Sequence, residues 1–271
     1  MKKIFNIIFF LFVTIVVLSC DDLNEPGKIP IKNSFLYNVE VNAPKQEIFV
    51  YRTLDLSESI KDIPFEFSLK SYDKYFVENA EIVLSDQNEN LSNFQIDKSQ
   101  YGYRFYTEGE LFTFKPETKY SIKVTANGQQ FTGQTTTPGD FNILYPIDHD
   151  TLSYYEGIKI ESKWTNSKNA KFYLAKLFIA AIDTFNTDEG QIITVLDFSR
   201  AIRTESIFNN NLSTNFNFSF RNRMDSIKIE ILAFDGNYYN HIFNGYQSSG
   251  LENAFGYFGS SVLKSVVFYF K

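Results

Sequence analysis

The sequence is poor in the residues that carry most metal and redox chemistry. Among its 271 residues are one cysteine and two histidines, His149 and His241. That scarcity excludes a disulfide framework, a Cys/His zinc cluster, iron–sulfur ligation and haem attachment on this chain, so no metal or cofactor is expected. A positive surface is missing as well, because 26 basic residues face 32 acidic ones. Loss of Lys2 and Lys3 with a leader would take the net charge from −6 to −8. This is the wrong sign for a surface that follows phosphates, and nucleic acid is not an expected partner. Apolar side chains, in contrast, are plentiful: 44% of the residues are hydrophobic and 21% charged. The balance is that of a folded chain, and its length implies two domains.

Met1-Lys2-Lys3 is a short basic start, and Ile4 to Leu18 is interrupted only by Asn6 and Thr14. Such a run is short for a bilayer span, which needs about 20 apolar residues, and has the size of a signal-peptide core. It ends in Val17-Leu18-Ser19-Cys20, which resembles a bacterial lipobox. The resemblance implies a signal peptide over 1–19, cleavage before Cys20, lipid on its thiol and attachment to the membrane through that lipid. An ordinary secretory signal with a chance cysteine is the other reading. The place of the chain's single cysteine at the end of the apolar run favours the lipobox. Three acyl chains, at about 0.8 kcal/mol per buried CH₂, would make the anchor permanent. Asp21, Asp22 and Glu25 follow at once. They resemble the acidic export signal that sends Bacteroidota lipoproteins to the exterior face of the outer membrane; a plain acidic tether facing the periplasm is the alternative. Pro26-Gly27-Lys28-Ile29-Pro30 closes a tether spanning 20–33 as an extended spacer.

From Ser34 the apolar pattern has period two, with Phe35, Tyr37, Val39 and Val41 alternating with Leu36, Asn38, Glu40 and Asn42. Short runs of the same kind follow at 48–54, 65–69, 80–84, 101–106, 120–126 and 131–135. Asn127-Gly128 between the last two is a hairpin signal, since both residues tolerate positive φ. Thr137-Pro138-Gly139-Asp140 marks the best domain boundary. Beyond it, strands are expected at 158–164, 172–181, 191–198, 216–220, 226–234 and 262–270, with Trp164 in the second core. Tyr239, Ile242, Phe243 and Tyr246 have the spacing of a short amphipathic helix within a glycine-rich segment, 237–260. The expected fold is all-β: two tandem β-sandwich domains of immunoglobulin or fibronectin-III type, over 34–137 and 138–271.

Several of these segments are specific in their order. Val50-Tyr51-Arg52-Thr53-Leu54, Asn79-Ala80-Glu81-Ile82-Val83-Leu84-Ser85-Asp86 and Pro116 to Val124, followed by Gly128 and Thr137-Pro138, resemble the Bacteroidota lipoproteins called domain of unknown function 4249. Asn253 to Ser260 resembles that family's closing glycine-rich segment, with Ala254-Phe255 where the family has paired glycines. The resemblance runs from Ser34 to Lys271. It implies a two-domain β lipoprotein often encoded beside a TonB-dependent outer-membrane transporter, and it carries no catalytic motif.

Reactive groups are scattered. Gly245 to Gly250 fails as a nucleophile elbow, because Tyr246 stands two residues before Ser248. His149, between Asp148 and Asp150, reads as a solvated loop residue rather than a base, and His241 as structural. Asp86, Asn88 and Asn90, with Asp97 beyond, faintly resemble a calcium loop, but Leu91 occupies the turn position and a polar hairpin explains the same residues. The aromatic load is the strongest lead: 29 Phe and 17 Tyr. Most belong in cores, and AT-rich codons would enrich them without selection. Rings in turn-like or glycine-rich context are the exposed candidates for a partner, glycan or peptide ligand: Tyr154, Tyr155, Tyr238, Tyr239, Tyr246, Phe255, Tyr257 and Phe258.

The expected function is a lipid-anchored, non-catalytic accessory or binding lipoprotein of the outer membrane beside a TonB-dependent transporter. A freestanding carbohydrate-binding or adhesive protein is the alternative, and a hydrolase comes third. Asp150-Thr151-Leu152 and Asp225-Ser226-Ile227 resemble a Bacteroidota O-glycosylation acceptor, which would put glycan on Thr151 or Ser226; a turn before a strand is the other reading. Glycosylation predicts an intact mass above that of the lipidated chain, and an unshifted mass would remove it.

Overall fold

The computed structural model describes residues 33–42, 45–52, 76–77, 79–88, 91–93, 95–99, 102–108, 114–153, 159–187, 190–198, 201–215 and 224–270. The strands expected at 65–69 and 216–220 lie outside the described residues, as do Cys20, Asp21, Asp22 and Glu25.

The alternating pattern after Ser34 becomes β1 (Asn33–Val41), with every second residue buried. β1 runs antiparallel to β2 (Lys45–Arg52), which pairs with β6 (Gly102–Glu108) and through it with β5 (Gln95–Ser99). A second sheet carries β3 (Glu81–Asp86), β4 (Leu91–Asn93), β7 (Lys119–Ala126), β8 (Gln129–Thr136) and the short β18 (Leu251–Glu252). β7 and β8 meet at Asn127-Gly128, whose φ values of 51° and 72° are those a tight hairpin turn requires. The two sheets face each other through Phe35 and Phe131, whose ring centres lie 5.4 Å apart.

The second half of the chain repeats the arrangement. β9 (Ile143–Tyr145), β11 (Lys159–Trp164) and β15 (Asn211–Asn215) form a small sheet. It packs on β12 (Phe172–Thr187) and β16 (Met224–Phe234), with Phe141 and Trp164 edge-on to Tyr173 at 5.9 and 5.3 Å. Trp164 is a core residue, 2% exposed. β13 (Gly190–Asp197) and β14 (Arg203–Ile207) both pair with β12.

Each sandwich contains a buried tyrosine near the start of a strand whose hydroxyl is tied to backbone upstream. Lys115 N–H donates to Tyr120 Oη at 2.8 Å, and Ser167 N–H donates to Tyr173 Oη at 2.8 Å. This tyrosine-corner arrangement recurs in immunoglobulin-type sandwiches. Burial raises the phenol pKa of both.

The expected division at 137/138 falls between β8 and β9, but the sheets do not stop there. The 16-residue β19 (Phe255–Phe270) pairs in parallel with β1 over Phe255–Val262 and antiparallel with β16 over Ser261–Tyr269. One sheet therefore runs β13-β12-β16-β19-β1-β2-β6-β5 through both sandwiches. The short β10 (Thr151–Leu152) and β17 (Ser248–Ser249) add to β19. One cluster of buried apolar residues extends from Phe35 to Phe270. Thr137, Pro138 and Gly139 are themselves buried. The Thr137 hydroxyl donates to Lys115 O at 2.7 Å, and Gly139 N–H to Lys168 O at 2.7 Å. The boundary segment is thus a packed crossing.

The parallel pairing brings β19 so close to β1 that Gly256, at φ 98°, leaves no room for a side chain: a Cβ there would stand 2.1 Å from Phe35 O. Gly256→Ala is expected to cost about 2–4 kcal/mol, from backbone strain and a forced shift of β1. Urea unfolding measures it, and an unchanged midpoint would contradict the close pairing.

Candidate functional site

The helix α1 (Gly236–Phe243) follows β16 on the outer face of the long sheet, away from both cores. No residue of α1 is fully buried, so its own packing is a weak support for eight residues. What holds it is Asp235. This residue is 4% exposed and caps the helix. Tyr238 N–H donates to its Oδ1 at 3.0 Å, and the Thr135 hydroxyl donates to its Oδ2 at 2.5 Å. Its own N–H donates to Ser260 O at 3.0 Å. Asn237 adds two bonds, to Gln134 O at 2.8 Å and Phe258 O at 2.9 Å. β8, β16 and β19 are thus joined at the start of the helix. Beside this junction lies an open polar cleft of about 420 Å³, lined by Lys119, Gln134, Asn169 and Asn237.

Burial raises the Asp235 pKa, and the hydrogen bonds from Thr135, Tyr238 and Ser260 oppose that rise without cancelling it. Both oxygens are occupied by protein donors, so the carboxylate positions the helix.

Downstream of the cap, α1 lies over a bed of rings. Phe172 and Phe234, on the outer face of β12 and β16, stack at 5.1 Å, and Tyr238 stacks on Phe234 at 4.3 Å. Tyr257 closes one side, edge-on to Tyr238 at 5.0 Å. On the other side Phe243 is edge-on to Phe172 at 5.0 Å, and Phe208 is edge-on to Phe243 at 5.5 Å. Tyr239 sits 5.2 Å from Phe243 and 6.4 Å from Phe208. The base is fully buried, with Phe172 2% and Phe234 4% exposed; the top is open, with Phe208 62% and Phe243 42% exposed. The result is an aromatic shelf, and each ring pair contributes about 0.5–1.5 kcal/mol beyond area burial.

The expected aromatic residues separate. Tyr154 and Tyr155 lie outside the described residues. Tyr238, Tyr239 and Tyr257 come together in or beside the shelf. Tyr246 is exposed beyond the end of the helix, its carbonyl 3.0 Å from His241 Nδ1. Phe255 is half-buried at the start of β19. Phe258 corrects the expectation of exposure: strand alternation turns it inward, opposite to Tyr257, and it is fully buried with its ring stacked 5.7 Å from Tyr37. The predicted helical stripe is corrected too. The helix ends at Phe243 with Asn244 as its cap, so Tyr246 is not on it, and Ile242 faces solvent at 51% exposure. Phe172, Phe208, Phe234 and Phe243 were not among the site candidates. Phe208, before Asn209-Asn210-Asn211, had turn context that would have marked it.

Elsewhere, Thr151 is exposed on β10, whereas Ser226 is 6% exposed on β16, where the fold shields it from a modifying enzyme. His149 is solvated, with Nδ1 2.9 Å from Asp148. Asn88 N–H donates to Asp86 Oδ1 at 2.8 Å within the turn after β3. Asp97 is on β5 in the other sheet, and Asn90 lies outside the described residues. Among the described residues no three His, Cys, Asp or Glu side chains converge as a metal site, and no helix is long and apolar enough to cross a membrane.

Fold and site define an all-β protein of two sandwiches fused through one strand, with an aromatic shelf on its outer face. The chain belongs to the family described as Domain of unknown function (DUF4249), whose model matches residues 38–257. No curated protein matches it. Among solved structures it is similar to fibronectin(III)-like modules of Clostridium thermocellum CbhA, at 11% identity over 88% of this chain and 94% of that one, with a TM-score of 0.26. Tandem Ig repeats of Dlar match at 12% identity over 89% and 98%, with a TM-score of 0.25. Scores this low carry no argument about this chain.

Because the Asp235 pKa is raised on folding, its contribution is most favourable at low pH, where it is protonated in both states. Stability is lost as pH rises from the unfolded value, about 3.9, through the raised folded value. Asp235→Asn keeps a capping oxygen and removes this loss. Its stability relative to the native protein should rise with pH across that window in urea titrations; Asp235→Ala, which lacks the cap, should be less stable than Asp235→Asn by about 1 kcal/mol.

Proposed function

We propose that this protein is a lipid-anchored, non-catalytic binding lipoprotein of the outer membrane, facing the cell exterior and serving beside a TonB-dependent transporter. The binding role is carried by one observation: four exposed apolar side chains, Phe208, Ile242, Phe243 and Tyr246, gather on and next to a helix clamped to a rigid double sandwich. Single exposed apolar residues need no explanation, but two exposed rings held in contact over a packed base, as Phe208 and Phe243 are, do. The rings do not serve the core, which Phe35, Phe131, Phe258 and Trp164 already fill.

Anchorage is supported by Val17-Leu18-Ser19-Cys20, and exposure to the exterior by Asp21, Asp22 and Glu25. The transporter enters through the resemblance of the ordered strand motifs to lipoproteins encoded beside such barrels. A lipid anchor confines the protein to the membrane plane, and a barrel in the same plane would meet it at high effective concentration, so a modest contact suffices.

Mild-detergent purification of the tagged full chain from its own outer membrane should bring down a TonB-dependent barrel in near-equal amount, identified by mass spectrometry. Cys20→Ser, which blocks both lipidation and cleavage before Cys20, should take the protein out of the outer membrane and away from the barrel. Recovery of the lipidated protein alone would turn the reading to a freestanding surface binder, and retention of Cys20→Ser in the outer membrane would remove the lipid anchor.

A further inference from the structure

We infer that the aromatic shelf of α1 binds a neutral glycan, with a sugar ring stacked on Phe208 and its hydroxyls met by the surrounding asparagine amides. The inference rests on the reading of this face as the binding surface, and adds the chemistry of what is bound.

Charge is the first ground. Residues 207–215 and 236–251, which supply Phe208, the whole of α1 and the turn after it, hold no Asp, Glu, Lys or Arg, in a chain that is 21% charged and carries a net charge of −6. Four charges near these segments are buried, paired or set at the far end of α1. Asp235 is buried beneath the helix start. Lys171 runs alongside Gly236, at the opposite end of α1 from Phe243. Arg203 and Glu205 on β14 pair with each other. His241 of α1 lies on the other side of the helix, its ring 5.0 Å from Tyr257 and its Nδ1 3.0 Å from Tyr246 O, so a charged ligand at Phe208 and Phe243 would find no counter-charge, and an uncharged one has none to desolvate.

Polar groups are nevertheless present, and amides are prominent among them. Asn209, Asn210 and Asn211 follow Phe208 directly, and Asn240 and Asn244 flank Phe243 in sequence. Asn244 Nδ2 donates to Asn240 Oδ1 at 2.8 Å, which fixes both side chains at the end of the helix. An amide offers both donors and acceptors, as a sugar hydroxyl does, so one residue type can serve either role of a polyol.

Geometry and size favour a small flat ligand over a protein. Phe208 and Phe243 meet edge-on at 68° and 5.5 Å, a corner of two rings in direct contact whose outer sides are open to solvent, Phe208 at 62% and Phe243 at 42% exposed. Phe172 lies below, 5.0 Å from Phe243 and 6.1 Å from Phe208, and holds both in place. A carbohydrate presents an apolar C–H face and a polar edge, which this corner and its amide border match. A stable protein interface buries about 800 Å² per partner through 20–30 residues, far more than four exposed apolar side chains supply.

The test uses the full-length protein in mild detergent, titrated calorimetrically with malto-, cello-, xylo-, manno- and galacto-hexaose, and with an oligogalacturonate as the acidic control. At least one neutral hexaose should bind, and the acidic oligomer should bind no more tightly. Phe208→Ala should weaken binding about tenfold, the loss of roughly 1.4 kcal/mol, and lower the thermal midpoint by only the few degrees its ring contacts supply, whereas Phe208→Tyr, which keeps the ring, should retain binding. Phe243→Ala should weaken binding as Phe208→Ala does. Failure of every neutral oligomer to bind, affinity unchanged in Phe208→Ala, or preference for the acidic oligomer would each overturn the inference. The two readings separate in the same preparations. Loss of a co-purifying barrel in Phe208→Ala without any glycan binding would make the shelf a protein contact, sinking the glycan while sparing the accessory role. Glycan binding without a barrel would do the reverse.

Discussion

The last strand carries the mechanical logic of this protein. β19 pairs with β1 along its first half and with β16 along its second, so the backbone bonds that complete one sandwich continue into the other. A parallel partner for β1 has to come from a distant part of the chain, because parallel strands need a long crossover. Here the partners are more than 200 residues apart in sequence. The two sandwiches share a sheet and a buried core. Phe258 illustrates the dependence: it belongs to the closing strand, yet it packs on Phe35 and Tyr37 from the opening one.

The shelf inherits its rigidity from that junction. An eight-residue helix with no buried residue would fray if left to its own hydrogen bonds. Asp235 ties it to β8 through Thr135 and to β19 through Ser260. Gly259 on β19 leaves the space, since a Cβ there would come within 3.1 Å of Asp235 and Tyr238. Holding a carboxylate in so dry a place works against stability, as its raised pKa reflects. The outcome is a short helix in one fixed pose, with rings presented outward over a packed base. Fixed presentation lowers the ordering cost of binding, which matters most where the contact is small.

Anchor and shelf sit at opposite ends of the functional reading. The lipid would provide residence at the membrane and the shelf selectivity, with neither demanding a reacting group. Such a division suits a fold whose sheets are stiff and whose variable chemistry lies in turns and short insertions such as α1.

Much of the fold was legible in the chain. Alternation at Phe35, Tyr37, Val39 and Val41, the Asn127-Gly128 turn and the core role of Trp164 are local matters, set by strand geometry, by φ and by the size of an indole. The helix near Tyr239 was legible as well, though its true face was not: whether Tyr246 or Tyr238 packs depends on where Asn244 ends it and on what lies beneath. Pairing of β19 with β1 could not be read, because a period of two says which face of a strand is buried and not which strand lies beside it. Nor could the shelf, since Phe172, Phe208, Phe234 and Phe243 come from four separate elements. By itself the sequence determined the alternation of strands such as β1 and the turn at Asn127-Gly128, which rest on residues adjacent in the chain. Only the tertiary structure decided which aromatic side chains fill the core and which reach solvent, because that choice is made by neighbours from distant segments.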